Sequence, residues 1–163
     1  MSPKPNQFAS LYLLLGLLLA GLAGCSSVRT SEIAEVHLFG LPSALTLPAS
    51  SAPVGVGIQI YATDPGGPRG LPIHRGRLEV LMFDQPVANL NPETDKPAKT
   101  WSFEPKDLEH FLSTTRMGIG YQLELLWGKD KPKGRSLTVI ARYRVTGHPD
   151  IYSTSAAIST VLH

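Results

Sequence analysis

Residues able to do chemistry are few and scattered in this chain. It holds one thiol, Cys25, and five imidazoles, His37, His74, His110, His148 and His163. No two histidines stand at a spacing such as H-x-x-x-H, and zinc needs three or four ligands that converge, so no metal site is expected. Asp64, Asp84, Asp95, Asp130 and Asp150 fall near the ends of strand-like segments, where calcium sites collect oxygen ligands. Asp is also a favoured turn residue, and that is the simpler reading. The sequence contains no G-x-S-x-G elbow, and no Ser or Thr stands in a recognisable nucleophile context. Asp107 and His110, three residues apart, fit an ordinary helix-surface pair. Trp101, Trp127, Tyr121 and Tyr143 could form a sugar-stacking platform, but the last three lie on apolar strand faces and fit a core. No catalytic residue and no cofactor is therefore assigned, and the expectation is a protein that is not an enzyme.

The cations carry more information. Gly128-Lys-Asp-Lys-Pro-Lys-Gly134-Arg135-Ser136 superficially resembles a phosphate-binding loop. That motif needs four residues between its glycines and then Lys, on a turn from strand to helix, so that backbone amides converge on phosphate. Here five residues intervene, Arg stands for Lys, and strands flank both sides, so nucleotide binding is not expected. Lys129, Lys131, Lys133 and Arg135 are instead expected to crown a hairpin, with Arg142 and Arg144 sharing an outward face. Arg69, His74 and Arg75, in a Gly- and Pro-rich loop, complete the candidate binding surface. Its partners would be anionic lipid headgroups, an acidic envelope polymer or another envelope protein. The plainer alternative is a charged edge that discourages strand addition.

The net charge of +2 lacks the excess that nucleic-acid binders show, so no nucleic-acid partner is expected. The charge is nevertheless uneven. From Asp84 to Glu109 six acids face three lysines, and from Arg116 to His148 seven bases face Glu124 and Asp130. One end of the domain is expected to be basic.

The N-terminus MSPKPNQFAS carries Lys4 and precedes an apolar run from Leu11 to Leu22. A spanning helix wants about 20 apolar residues, so this run has the length of a signal-peptide core. It ends in Leu22-Ala23-Gly24-Cys25, which resembles the lipobox of bacterial lipoproteins. The resemblance implies cleavage after residue 24, diacylglycerol on the Cys25 thiol and membrane anchorage through that lipid. Ser26 and Ser27, where an Asp after the cysteine would favour inner-membrane retention, imply the outer membrane, facing the periplasm. Residues 1–24 are then the signal peptide, 25–32 the lipidated cysteine and a short tether, and 33–163 one domain. Lys4 is the only charged side chain removed, leaving 14 basic against 13 acidic. No cysteine remains to form a disulfide, so stability must come from burial.

The domain reads as β throughout. Ile33 to Phe39 is weakly alternating, and the segment to Pro53 is rich in proline and serine. In VGVGIQIYAT, Val54 to Thr63, apolar residues recur at period two. Asp64 to Gly76 breaks regular structure. RLEVLMF, Arg77 to Phe83, is apolar on both faces and fits a central strand. Trp101 to Phe103 is a short strand candidate. Pro105 to Thr114 is the one helix expected, with Pro at its first position and Leu108, Phe111 and Leu112 on one face. Tyr121 to Trp127, Leu137 to Val145 and Ile151 to Leu162 are expected to form a three-stranded antiparallel meander. About seven strands and one short helix imply an all-β antiparallel sandwich, immunoglobulin-like or transthyretin-like.

The segments GRLEVLMFD, WSFEPKDLEHF, GIGYQLELLW and SLTVIARYRV resemble an uncharacterised group of small secreted and lipid-anchored bacterial β-domain proteins. They are packing motifs and imply a fold, not an active site. Size, anchor and strand count also resemble the transthyretin-like outer-membrane lipoprotein of type VI secretion assemblies. The expected function is a non-catalytic envelope lipoprotein that scaffolds or binds. A secretion-assembly role is one alternative. An envelope enzyme is another, and would show as three or more of Asp64, His74, Asp84, His110 and His148 in one pocket.

Overall fold

A computed structural model describes residues 32–48 and 52–161. Cys25, the apolar run before it and His163 lie outside the described residues. The chain forms β1 (Glu35–Gly40), β2 (Leu45–Thr46), β3 (Pro53–Thr63), β4 (Arg77–Phe83), β5 (Lys99–Phe103), α1 (Pro105–Leu108), β6 (Leu112–Thr115), β7 (Gly118–Leu126), β8 (Ser136–Arg144), β9 (Ile151–Tyr152) and β10 (Ala156–Ser159). Among the described residues no helix is long and apolar enough to cross a membrane.

Two antiparallel sheets pack face to face. One has the order β1-β3-β7-β6 with β2 also on β3, and the other β10-β8-β4-β5 with β9 also on β8. Lettered along the chain, these are A-B-E-D and G-F-C-C′, the strand order of immunoglobulin domains. Of the two sandwich types expected from the sequence, this is the immunoglobulin-like one.

Period-two alternation builds the interior. Val56, Ile58, Ile60 and Ala62 of β3 and Leu123 and Leu125 of β7 face Leu78, Val80 and Met82 of β4 and Leu137, Val139 and Ala141 of β8 in one buried cluster. Tyr121, Trp127 and Tyr143 join that cluster, as their strand positions predict. β4 is central in its sheet, between β8 and β5. Its second apolar face is explained by Leu81 and Phe83, which form a separate cluster with Ile140 on the outside of the sheet, packed against Leu90 and Tyr152.

Three expectations need correction. The C-terminal strands are not one meander: β7 pairs with β3 and β6, whereas β8 pairs with β4, β9 and β10 in the other sheet. Alternation reports a buried face but not the sheet that owns it, so the loop from Gly128 to Arg135 crosses between sheets instead of closing a hairpin. The final strand is split, because at Ser153 the side chain replaces a ladder partner: its Oγ accepts from the Ala141 amide while its own amide donates to the Ala141 carbonyl. The helix is also shorter than the sequence suggests. α1 ends at Leu108, a 3-10 turn covers Glu109–Phe111, and Leu112 already belongs to β6. This short helical bridge carries the chain from one sheet to the other and inserts Leu108 fully into the core.

Trp127→Ala is expected to destabilise the fold by about 3 to 5 kcal/mol, the range for truncating a buried large aromatic. Urea denaturation followed by far-ultraviolet circular dichroism measures it, and an unchanged midpoint would contradict the packing described.

Candidate functional site

β3 and β7 run antiparallel, with Ile60 opposite Tyr121 and Gly55 opposite Leu126. The loop after Thr63, the β6–β7 turn and the loop after Arg144 therefore share one end of the sandwich. The loop of residues 127–135 occupies the other end, together with the loop after Phe83. The first described residue, Glu32, lies at the first end, where it accepts from Arg75 at 3.2 Å and approaches His148 at 3.7 Å.

At that first end the loop of residues 64–76 is tied down at several points. The Gly70 amide donates to the Met117 carbonyl at 2.7 Å, and the Gly70 carbonyl accepts from the Ile119 amide at 3.0 Å. A side chain on Gly70 would meet the Ile119 carbonyl oxygen at 2.2 Å, so only glycine permits this approach. Gly118, at φ +99, makes the turn beside it. Two core tyrosines hold the rest of the loop from opposite sheets. The Tyr121 hydroxyl accepts from the Ile73 amide at 2.6 Å, and the Tyr143 hydroxyl donates to the Arg75 carbonyl at 2.9 Å. Burial pushes both phenols above their usual range; the Ile73 amide pulls against this at Tyr121, and Arg75 does so at Tyr143.

Next to this loop the outer face of the second sheet carries a charge lattice. Glu79, 6% exposed, accepts from Arg142 through Nη2 at 2.6 Å and Nε at 2.8 Å. Asp150 accepts from Arg144 Nε at 3.1 Å, and Arg77 pairs with Glu104 at 2.7 Å. Burial acts against the Arg142 charge, but Tyr152 and Glu79 outweigh it and leave the guanidinium above its ordinary value. Arg77, Glu104, Arg144, His148 and Asp150 line a polar cleft of about 580 Å³. Arg142 and Arg144 share this outward face, and there both are paired with carboxylates supplied from β4 and from the loop before β9.

The opposite end is organised around Asp84, the residue after β4. Its two carboxylate oxygens accept from the Lys133 and Gly134 amides, each at 2.9 Å. The backbone donors that a phosphate loop would offer are therefore occupied by the protein's own carboxylate. Lys129, Lys131, Lys133 and Arg135 are all exposed, while Asp130, the acid within the loop, is engaged by Lys99 at 3.2 Å. Among the described residues none of these four cations has an ion-pair partner.

The candidate surface therefore splits in two. Arg69, His74, Arg75, Arg142 and Arg144 gather at one end, and Lys129, Lys131, Lys133 and Arg135 at the other, separated by the length of β8, about 30 Å at 3.3 Å per residue. His74, His110 and His148 line different clefts. Among the described residues no group of three His, Cys, Asp or Glu is placed to hold a metal ion. Asp107 does not pair with His110; its carboxylate accepts from the Glu104 amide as part of a capping box. Sequence reasoning missed Glu79, and it weighed Asp84 only as a turn residue, a calcium ligand or a pocket member, not as the anchor of the cation loop. A glutamate inside the otherwise apolar RLEVLMF was the available signal for the first, since a carboxylate there must be paired.

No family model and no curated protein matches this chain. Among solved structures, a multi-modular cell-surface chitinase, ChiW from Paenibacillus sp. str. FPU-7, aligns with a TM-score of 0.30 and 6% identity over 82% of this chain and 9% of the chitinase. The chain thus spans less than a tenth of that enzyme's length, and a likeness of this size carries no functional argument.

Tyr121→Phe leaves the Ile73 amide buried without its acceptor and is expected to lower stability by about 1 to 3 kcal/mol. Equilibrium urea unfolding would show it, and an unchanged midpoint would mean that water replaces the hydroxyl. Both tyrosines also predict an alkaline limit. With folded pKa values raised above about 10, their contribution is fully present below pH 10 and is lost as pH rises through the folded values. The melting temperature should fall above pH 10 in wild type and fall less steeply in Tyr121→Phe.

Proposed function

We propose that this chain is a lipid-anchored envelope protein. Diacylglycerol on Cys25 holds it at the outer membrane facing the periplasm, and its immunoglobulin-like domain is a non-catalytic binding module. The module presents the loop of residues 128–135 to an anionic envelope partner, a protein with an acidic surface or an acidic polymer. The observation that carries this reading is the placement of Lys129, Lys131, Lys133 and Arg135, all exposed and unpaired among the described residues, at the end away from Glu32. The seven residues after Cys25, ending at Glu32, reach at most about 25 Å, so on this reading the end that carries Glu32 is tethered nearer the bilayer than the end that carries the cation loop. Its own bilayer is then a poorer match for that loop than a component farther out. Asp84 supports the same reading, because a loop held in shape by an internal anion needs little ordering when it binds.

Crosslinking in intact envelopes tests the proposal, with wild type compared with a variant carrying Ser at residues 129, 131, 133 and 135 and with Cys25→Ala. The expected result is a specific crosslinked partner that the serine variant loses, and loss of lipid labelling and of membrane retention in Cys25→Ala. The same partner set in both proteins would overturn the loop assignment, and unlabelled, freely soluble wild type would overturn the anchor.

A further inference from the structure

The end nearest Glu32 carries its own unpaired cations, set on a rigid platform. The β6–β7 connection is a two-residue turn, Arg116 and Met117, closed by Thr115 opposite Gly118. The Met117 amide donates to the Thr115 hydroxyl, which in turn donates to the Gly118 carbonyl. The Gly70 hydrogen bonds described above lock Arg69 against this turn, so that its side chain runs beside Gly118. Arg69 and Arg116 are exposed, and among the described residues neither has an ion pair; Met117 between them is 48% exposed. Of the acids at this end, Glu32 pairs with Arg75 and Asp150 with Arg144, Glu35 lies 3.3 Å from His37, and the Asp64 carboxylate accepts from the Gly66 amide.

From this geometry we infer that the Arg69, Arg116 and Met117 tip docks onto anionic phospholipid headgroups of the bilayer that holds the anchor. The inference rests on the lipid-anchor reading. Glu32 precedes β1, which lies two strands from β7, about 10 Å along the sheet. A tether reaching at most about 25 Å brings this tip within range of the headgroups. Two guanidinium groups supply charge complementarity, and a methionine between them supplies an apolar contact at the headgroup level. Docking would fix the sandwich upright, with the cation loop of residues 128–135 pointing away from the membrane. Each basic side chain near an anionic surface favours apposition by about fivefold.

The test uses the lipidated protein purified from membranes and reconstituted into vesicles of pure phosphatidylcholine or of phosphatidylcholine with phosphatidylglycerol. Met117→Cys and, as a distal reference, Lys131→Cys supply single reactive thiols, since an alkylated Cys25 is blocked to maleimide. With a membrane-impermeant maleimide, the residue 117 thiol is expected to react about 25-fold more slowly on anionic than on neutral vesicles, about fivefold for each of the two arginines. High salt, or Arg69→Ser with Arg116→Ser, should remove that difference, while the residue 131 thiol reacts equally fast on both. Equal rates at residue 117 on the two vesicle types would overturn the docking. Failure of the anchor reading is distinguishable, because Cys25 of the wild type would itself react and the protein would not remain with the vesicles. Unchanged melting of the double serine variant separates loss of docking from loss of fold.

Discussion

Apolar contact joins the two sheets across their faces, with the Trp101 indole donating to the Leu126 carbonyl and backbone bonds from residues 42–44 to Ser159 at the margins, and every other feature depends on keeping that contact dry. The chain crosses between the sheets at residues 64–76, 104–111 and 127–135, and the longest of these crossings, residues 64–76, covers one end of the interface. It is closed by two phenols that rise from the interior of opposite sheets and end on neighbouring peptide groups, one accepting and one donating. Each tyrosine is thus part of the apolar interior along its ring and part of the loop at its hydroxyl. No buried side-chain nitrogen or oxygen among the described residues is left without a partner. This is what a core without a covalent staple requires, since each orphaned group would cost a large part of a marginal stability.

Charge follows a similar economy. Where a strand face would otherwise present bare arginine, Glu79 and Asp150 are brought against it, and the lattice links β4, β8 and the loop before β9. Among the described residues, the unpaired cations Arg69, Arg116, Lys129, Lys131, Lys133 and Arg135 stand on loops and turns at the two extremities. The contrast matters because net charge by segment, the quantity a sequence offers, does not distinguish the two situations. The segment from Arg116 to His148 is strongly basic in sequence, yet two of its arginines are neutralised in the fold by acids from outside its strands.

The legible part of this fold was what local alternation encodes: strand positions, the inward faces of Tyr121, Trp127 and Tyr143, and the central place of β4. Sheet membership was not legible, because two successive strands with the same alternation can be neighbours in one sheet or partners across the core. Helix length was misjudged for a related reason. Leu112 continues the helical stripe of Leu108, yet pairing opposite Tyr121 draws it into β6. Within the candidate site, the cationic residues were visible by type, but their division between two ends depended on sheet topology, and the pairing of Arg142 on an acid distant in sequence, Glu79.

The carboxylate of Asp84 has a further consequence for what the loop of residues 128–135 can distinguish. A loop whose amides are free reads the shape of an anion, because converging N–H groups demand a particular arrangement of oxygens. Here the Lys133 and Gly134 amides are already filled from within, and the lysine and arginine side chains face outward. Such a surface senses the density of negative charge and is nearly indifferent to how that charge is arranged. Its selectivity would lie in ionic strength and in the spacing of charges along an extended ligand, and little in the chemistry of any one group.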